Sequence, residues 1–359
     1  MKVLVVGPSS TKSKGGMATV IKEIEEDDKL CKNYHIDSYA SYVDGSRMKV
    51  MFYSFFAFIR FYFTKRGYDI YHIHMASWGS TYRKGYYVKL VKKWGKKVII
   101  HIHGAQFLVF YNQINDKKKK TVVSILKSAD RVIALSDDWK QKFDYTFGLK
   151  NCISIENGIN MEKLSSAVQP IDKYRKSFLT LGRLGKRKGT YDLISAIEIV
   201  RKTIPDVKCY LAGDGEIEQV KKMVSEKHLE KNIEVIGWAD FSQKLKLLRN
   251  VSTVVLPSYN EGLPMSVLEG MACGKAIIST IVGAIPEVVK RENGILIKAG
   301  DVNALADAMI TCCLDIDYIN QVSRANRKKI RHGYSMQMMH EKLAACYDKV
   351  YEGSLGNGG

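Results

Sequence analysis

The chain lacks the marks of several protein classes. Its seven cysteines, at 31, 152, 209, 273, 312, 313 and 346, are odd in number and include no C-x-x-C pair. Neither a disulfide framework nor a zinc knuckle fits that pattern, and a reducing compartment is expected. No uninterrupted apolar run reaches the roughly 18 residues of a membrane span. The opening M-K-V-L-V-V-G meets glycine and proline too early for a signal peptide and reads as a first buried strand. Proline is scarce, at six, and there is no internal repeat. The four lysines at 117–120 form the one low-complexity stretch and read as a solvated loop or helix start. With 46% hydrophobic and 26% charged residues among 359, the composition is that of an ordered globular protein, long enough for two domains.

Acidic residues are also few. Lys and Arg number 56 against 37 Asp and Glu, a net charge of +19. Residues 1–170 hold 28 basic and 15 acidic side chains, so the excess is concentrated there. Such a balance suits an anionic partner: nucleic acid, an acidic membrane surface or a phosphate-bearing substrate. A bland role in solubility would also explain it.

What is present is a repeated alternation. Short apolar, β-rich runs stand at 2–6, 70–73, 97–102 and 131–135, and recur at 177–181, 208–211, 233–236, 253–256 and 276–279. Helix-length segments separate them, which indicates parallel sheet covered on both faces. A polar stretch from Glu162 to Lys176 interrupts the pattern. The expected division is therefore an α/β domain over 1–168, a second over 169–340, and a final helix and tail over 341–359 that packs back on the first. Doubly wound sheets bind ligands at the carboxyl ends of their strands, so a cleft between the two domains is expected to hold the site.

Residues 47–66 stand apart. Eight of the twelve residues from Phe52 to Phe63 are Phe or Tyr, with Arg47, Lys49, Arg60, Lys65 and Arg66 around them. As a helix the segment is apolar nearly all round, with basic ends. It suits the headgroup level of an anionic bilayer, the core of the first domain, or an apolar substrate or partner surface.

Several loops carry candidate chemistry. Gly15 and Gly16 precede an amphipathic helix whose N-terminus could face an anion, although the run is neither a P-loop nor G-x-G-x-x-G. His72 with His74, and His101 with His103, form H-x-H pairs on strands, so each pair shares a face. A metal there would need further ligands at later strand ends, so His103 is expected to hydrogen-bond a substrate instead. In G-R-L-G-K-R-K-G, Arg183, Lys186, Arg187 and Lys188 crowd a glycine-spaced loop suited to a diphosphate. A-G-D-G follows at 212–215, and then Y-N-E-G-L-P-M-S-V-L-E, in which Glu261 and Glu269 are eight residues apart.

Together these motifs resemble the retaining glycosyltransferases of the GT-B fold, family 4-like, a group that includes many bacterial capsule, exopolysaccharide and O-antigen enzymes. E-x7-E is met by Glu261 and Glu269, G-R-L-x-x-x-K-G by Gly182–Gly189, and A-G-D-G by Ala212–Gly215. His103-Gly104 and the early glycine pair add to the likeness, which covers nearly the whole chain. The resemblance implies two Rossmann-like domains facing across a cleft, with the sugar nucleotide, most readily a UDP-sugar, on the second and the acceptor on the first. Arg183 and Lys188 would hold the diphosphate. Glu261, beside Gly262, Leu263 and Pro264, would meet the sugar hydroxyls, and Glu269 the ribose. Gly15 and Gly16 would approach the phosphates, and His103 the transferred sugar. Asn157-Gly158 matches a segment near the domain junction. The base would lie near Gly213, Gly215, Gly237 and Trp238.

The family needs no resident metal or cofactor, and the one clear D-x-D here, Asp315–Asp317, lies in a late helical region. His103, Arg183, Lys188 and Glu261 are the expected catalytic residues. The expected activity is transfer of a hexosyl or N-acetylhexosaminyl group, with retention, to a lipid-linked saccharide. The expected location is cytoplasmic, on the inner face of the cell membrane, with no nucleic-acid partner. Other GT-B enzymes, such as an epimerase or phosphorylase, and a non-enzymatic polyanion binder are the competing functions.

Overall fold

The computed structural model describes residues 1–13, 15–104, 106–169 and 174–355, without the side chains of residues 47, 354 and 355. The chain divides into two compact units. The first is Met1–Gly158 with Met336–Gly359, and the second is Ile159–Ser335. The chain thus crosses between units at 158/159 and 335/336, where 168/169 and 340/341 are expected from composition. The polar stretch after Glu162 belongs to the second unit. Leu164 and Ala167 are buried there, and the Leu164 carbonyl accepts from Cys273 Sγ.

The first unit is a six-stranded parallel sheet in the order β2-β1-β3-β4-β5-β6. Its strands are β1 (Val3–Pro8), β2 (Ile36–Tyr42), β3 (Ile70–Met75), β4 (Lys97–Ile102), β5 (Arg131–Ala134) and β6 (Cys152–Ser154). β1 and β3 are buried at every residue, as a central strand covered on both faces requires. The helix Gly16–Glu25 turns Ala18, Val20, Ile21 and Ile24 into this core. Ser136 caps the helix Asp137–Phe147 at the Trp139 amide, and Gly148 ends it in the left-handed region. The 117–120 lysines fall at the start of the helix Asp116–Ser128.

The second unit is also six parallel strands, in the order β12-β11-β10-β7-β8-β9. These are β7 (Ser177–Leu181), β8 (Lys208–Ala212), β9 (Ile233–Gly237), β10 (Thr253–Leu256), β11 (Ala276–Thr280) and β12 (Gly294–Ile297). Numbered within the unit, this is the 3-2-1-4-5-6 order of dinucleotide-binding sheets, which reverses direction between β7 and β10. Three strands were not expected from sequence: the half-exposed β2, the three-residue β6 and the short β12.

After the second sheet come the helices Val302–Leu314, Ile316–Gly333 and Met336–Leu355. The last returns to the first unit. Its Tyr347 is buried, with the hydroxyl 2.8 Å from His72 Nδ1. Lys342 pairs with Glu156 at 2.5 Å, and His340 with Asp27 at 2.5 Å.

The aromatic segment is the helix Arg47–Thr64. Only part of it serves the core. Phe61 is fully buried against Tyr39, Tyr71, Tyr87 and Trp94. Met48, Met51, Phe52, Phe55, Phe56, Tyr62 and Phe63 are exposed, Phe63 to 76%. Of the three readings of this segment, a helix wholly inside the core therefore fails. Among the described residues no helix is long and apolar enough to cross a membrane.

Candidate active site

In the second unit the loops leaving four strands meet. The loop after β7 binds the loop after β8: the Leu184 amide donates to the Asp214 carbonyl at 2.6 Å, and the Glu216 amide donates back to Leu184 at 3.1 Å. This approach is too close for a side chain at position 213. A Cβ on Gly213 would stand 1.6 Å from the Gly182 carbonyl oxygen. Arg183 is exposed at this junction, with its stem beside Gly215.

The β7 loop also binds the loop after β10, across the point where strand order reverses. The Tyr259 amide donates to the Arg187 carbonyl at 2.9 Å, and the Arg187 guanidinium to the Asn260 carbonyl at 3.0 Å. Lys188 ends a single 3-10 turn, and Gly189 follows at φ 68°. A side chain at 189 would be strained, and its Cβ would meet the Pro257 carbonyl at 2.1 Å. That turn delivers the Lys188 ammonium to Glu261 Oε1 at 2.5 Å. Glu261 is buried and Lys188 nearly so, so this is a largely desolvated ion pair at the switch point of the sheet.

Gly262, Leu263 and Pro264 are buried, and Pro264 is the cap of the helix Met265–Ala272. The loop after β11 closes the patch: the Ala284 amide donates to the Gly262 carbonyl at 3.0 Å. Glu269 lies in the helix and is buried. Its Oε1 is 2.5 Å from Lys244 Nζ, from the helix Phe241–Arg249. Gly237 ends β9, and Trp238 after it is exposed. The structure therefore brings Arg183, Lys188, Gly213, Gly215 and Glu261–Pro264 onto one rim, with Glu269 in the helix that starts there.

Spacing alone did not reveal Lys244. Its partner is 25 residues away, and the only local signal is the Asp240–Gln243 capping box that starts its helix. Gly283 was also missed. Its backbone packs so tightly on the Glu261 carbonyl that a Cβ would lie 2.0 Å from the oxygen.

The remaining expected residues belong to the first unit. Gly15 and Gly16 stand at the start of the helix Gly16–Glu25. Asn157 is buried, and the Gly158 amide faces Met339 Sδ at 3.2 Å. His103 follows β4 at its carboxyl end, with its amide on the Met75 carbonyl at 2.8 Å. Its Nε2 is 2.8 Å from His74 Nδ1, and His72 Nε2 is 3.2 Å from His101 Nδ1. Burial pushes His72 and His103 down to about 3, and His74 and His101 well below the ordinary imidazole value. All four rings are neutral at physiological pH. Nearby, Lys84 is fully buried, hydrogen-bonds Ser41, and is likewise pushed well down by burial.

The two H-x-H pairs thus converge, which the separate strands did not reveal. Among the described residues, His72, His74 and His101 are the only group of three or more His, Cys, Asp or Glu close enough to share an ion, with ligand atoms within 4.8 Å of one another. No carboxylate joins them, His72 and His101 already hydrogen-bond each other, and no clear metal-binding site emerges among the described residues.

Two family models match in tandem. "Glycosyltransferase Family 4" covers residues 16–163, and "Glycosyl transferases group 1" covers 162–329. An uncharacterized glycosyltransferase of Methanocaldococcus jannaschii, MJ1178, is 30% identical over 257 residues, 71% of this chain and 68% of its own. The UDP-Gal:alpha-D-GlcNAc-diphosphoundecaprenol alpha-1,3-galactosyltransferase of Escherichia coli is 26% identical over 79% of this chain and 76% of its own. Sucrose-phosphate synthase of Thermosynechococcus elongatus superposes with a TM-score of 0.82 over 98% of this chain and 99% of its own, at 18% identity, a likeness of fold. The chain belongs to the glycosyltransferases of the GT-B fold, among the relatives of family 4 and group 1.

Proposed function

We propose that this chain moves a hexosyl or N-acetylhexosaminyl group from a nucleoside-diphosphate sugar, most readily a UDP-sugar, to a lipid-linked saccharide, with retention. The product would enter cell-surface polysaccharide. The observation that carries the donor half is the Lys188–Glu261 pair at the switch point of the second sheet, flanked by Arg183. A pyrophosphate there gains one desolvated and one exposed cation. Negative charge grows on it as the glycosidic bond breaks, so both cations stabilise the transition state more than the bound donor. Glu261, already oriented by Lys188, accepts hydrogen bonds from sugar hydroxyls. Glu269, held by Lys244, accepts them from the ribose. His103 meets the transferred sugar. Attack by the acceptor on the face the diphosphate leaves accounts for retention, with a diphosphate oxygen taking the acceptor proton.

The acceptor half rests on the helix Arg47–Thr64. Its exposed Phe, Met and Tyr side chains, with exposed Lys49, Arg60 and Arg66, suit partial insertion into an anionic leaflet. A lipid-linked saccharide is presented at such a surface. The E. coli relative, whose name carries both a UDP-sugar donor and a diphosphoundecaprenol acceptor, supports the reading. On it the protein works in the cytoplasm, peripherally on the inner face of the membrane.

Purified protein should be titrated calorimetrically with a panel of sugar nucleotides. It should then be assayed for transfer to polyprenyl-diphosphate saccharides in anionic vesicles. Binding of one nucleotide sugar and transfer with retained anomeric configuration is the expected result. Binding of none, or transfer only to soluble sugars, defeats the donor or the acceptor half respectively.

A further inference from the structure

The histidine that the proposed reaction uses does not stand alone. His103 Nε2 lies 2.8 Å from His74 Nδ1, and the two rings stack at 4.9 Å and 12°. Both are neutral, so this contact has one proton, and two arrangements satisfy it. In one, His103 Nε2–H donates to His74 Nδ1. The proton of His74 must then sit on its Nε2, which is buried and has no hydrogen-bond partner. An orphaned buried N–H is among the rarest and most costly groups in a folded protein. In the other, His74 Nδ1–H donates to His103 Nε2. His74 then leaves only a bare nitrogen in the interior, and His103 carries its proton on Nδ1.

The neighbouring pair follows the same sense. His101 Nε2 is likewise buried without a partner. With that nitrogen bare, His101 Nδ1–H donates to His72 Nε2, and His72 Nδ1–H to the Tyr347 hydroxyl oxygen. Two adjacent strands thus adopt one tautomer, Nδ1–H, throughout.

We propose that His74 is a positioning residue that fixes His103 as the Nδ1–H tautomer, so that His103 presents a hydrogen-bond donor to an oxygen of the transferred sugar. The inference rests on the reading that His103 meets the donor sugar. Its consequence is a preference for substrates with an acceptor oxygen at that contact. A deoxy sugar nucleotide lacking that oxygen should turn over no faster in wild type than in the His103 variant.

The test is spectroscopic and kinetic. Full-length protein labelled with 15N-histidine is examined by long-range proton–nitrogen correlation at neutral pH, with His103 assigned through His103→Ala. The expected spectrum has a protonated Nδ1 and a bare Nε2. His74→Asn retains an N–H near the position of Nδ1 and should keep both the tautomer and turnover within a few-fold. His74→Leu removes the donor. It should shift His103 toward Nε2–H and lower kcat/KM by about tenfold, the worth of one ordinary hydrogen bond. A protonated Nε2 on wild-type His103 overturns the proposal, even if neither His74 variant folds. So does equal loss in the Asn and Leu variants, or an unchanged His103 tautomer in His74→Leu. Full activity of His103→Ala instead removes the functional reading of His103 and leaves the tautomer assignment intact.

Discussion

Lowering the pH should unfold the first unit well before the second. His72, His74 and His101 are fully buried and neutral, His72 held near 3 and the others well below 6.5. In the unfolded chain each titrates near 6.5. Their folded values are depressed, so below 6.5 the unfolded state binds more protons. The stability they permit is full above about pH 6.5 and is lost as pH falls toward 3. An imidazole that stays neutral in the fold withdraws about 2 kcal/mol by pH 5, and three withdraw about 6 kcal/mol. A domain's whole stability is about 5–15 kcal/mol. His103, only half-buried, is left out of this sum, and so is Lys84, whose value burial also depresses and which can only steepen the fall. The depressed carboxylates of the second unit, Glu198, Asp206 and Glu230, begin to matter only below their ordinary values of 4.5, 3.8 and 4.5.

Tryptophan fluorescence separates the two units. Trp78, Trp94 and Trp139 belong to the first and Trp238 to the second, so Trp238→Phe leaves a reporter of the first alone. Urea titrations between about pH 7.5 and 5 should give a free energy of unfolding that falls with a limiting slope of about 4 kcal/mol per pH unit, three protons' worth. A slope below that of one proton, or a loss that begins only under pH 4.5, would refute the burial of three neutral imidazoles.

Other outcomes are equally checkable. Glu269→Ala should weaken binding of free nucleoside diphosphate by about 1.5–3 kcal/mol, measured by calorimetry, because hydrogen bonds to a charged group are lost. Unchanged affinity removes Glu269 from the ribose, and a collapse of thermal stability instead points to the stranded Lys244 ammonium. Lys188→Ala and Arg183→Ala should lower kcat at saturating donor, and a rise in KM alone would contradict their transition-state role. Lys188→Ala should also cost stability, since it strands the buried Glu261 carboxylate. Changing Phe55, Phe56 and Phe63 together to Ser should leave the melting temperature unaltered and weaken sedimentation with anionic vesicles. A drop of several degrees, with vesicle binding intact, would return those rings to a structural role.

Much of the fold was written in local pattern. Nine of the twelve strands among the described residues announce themselves as apolar runs between helix-length segments, because a central parallel strand must be apolar on both faces. Ile36–Tyr42 escaped because an edge strand needs only one covered face, and D-S-Y-A-S there looks like a loop. Cys152–Ser154 is too short for any period to show. Of the site, the residues tied to glycine turns were legible, since close backbone approach leaves only glycine at positions such as 189 and 213. Pairings between distant segments were not. That Lys188 meets Glu261, Lys244 meets Glu269 and His74 meets His103 depends on strand order, which no spacing encodes. The aromatic helix was half legible: composition marked it as unusual, but only packing divides Phe61 inside from Phe63 outside.

The chain's double crossing between units has a consequence for its synthesis. Residues 159–335 form the second unit from one continuous stretch, so every residue it needs is present once position 335 has been made. The first unit begins earlier and is completed last, because Met336–Leu355 supplies Tyr347 against His72, Lys342 against Glu156 and His340 against Asp27. Until those residues arrive, the histidine cluster lacks one of its walls. A chain released after residue 335 should therefore carry a protease-resistant second half and a protease-sensitive first half, the reverse of the order in which they were made.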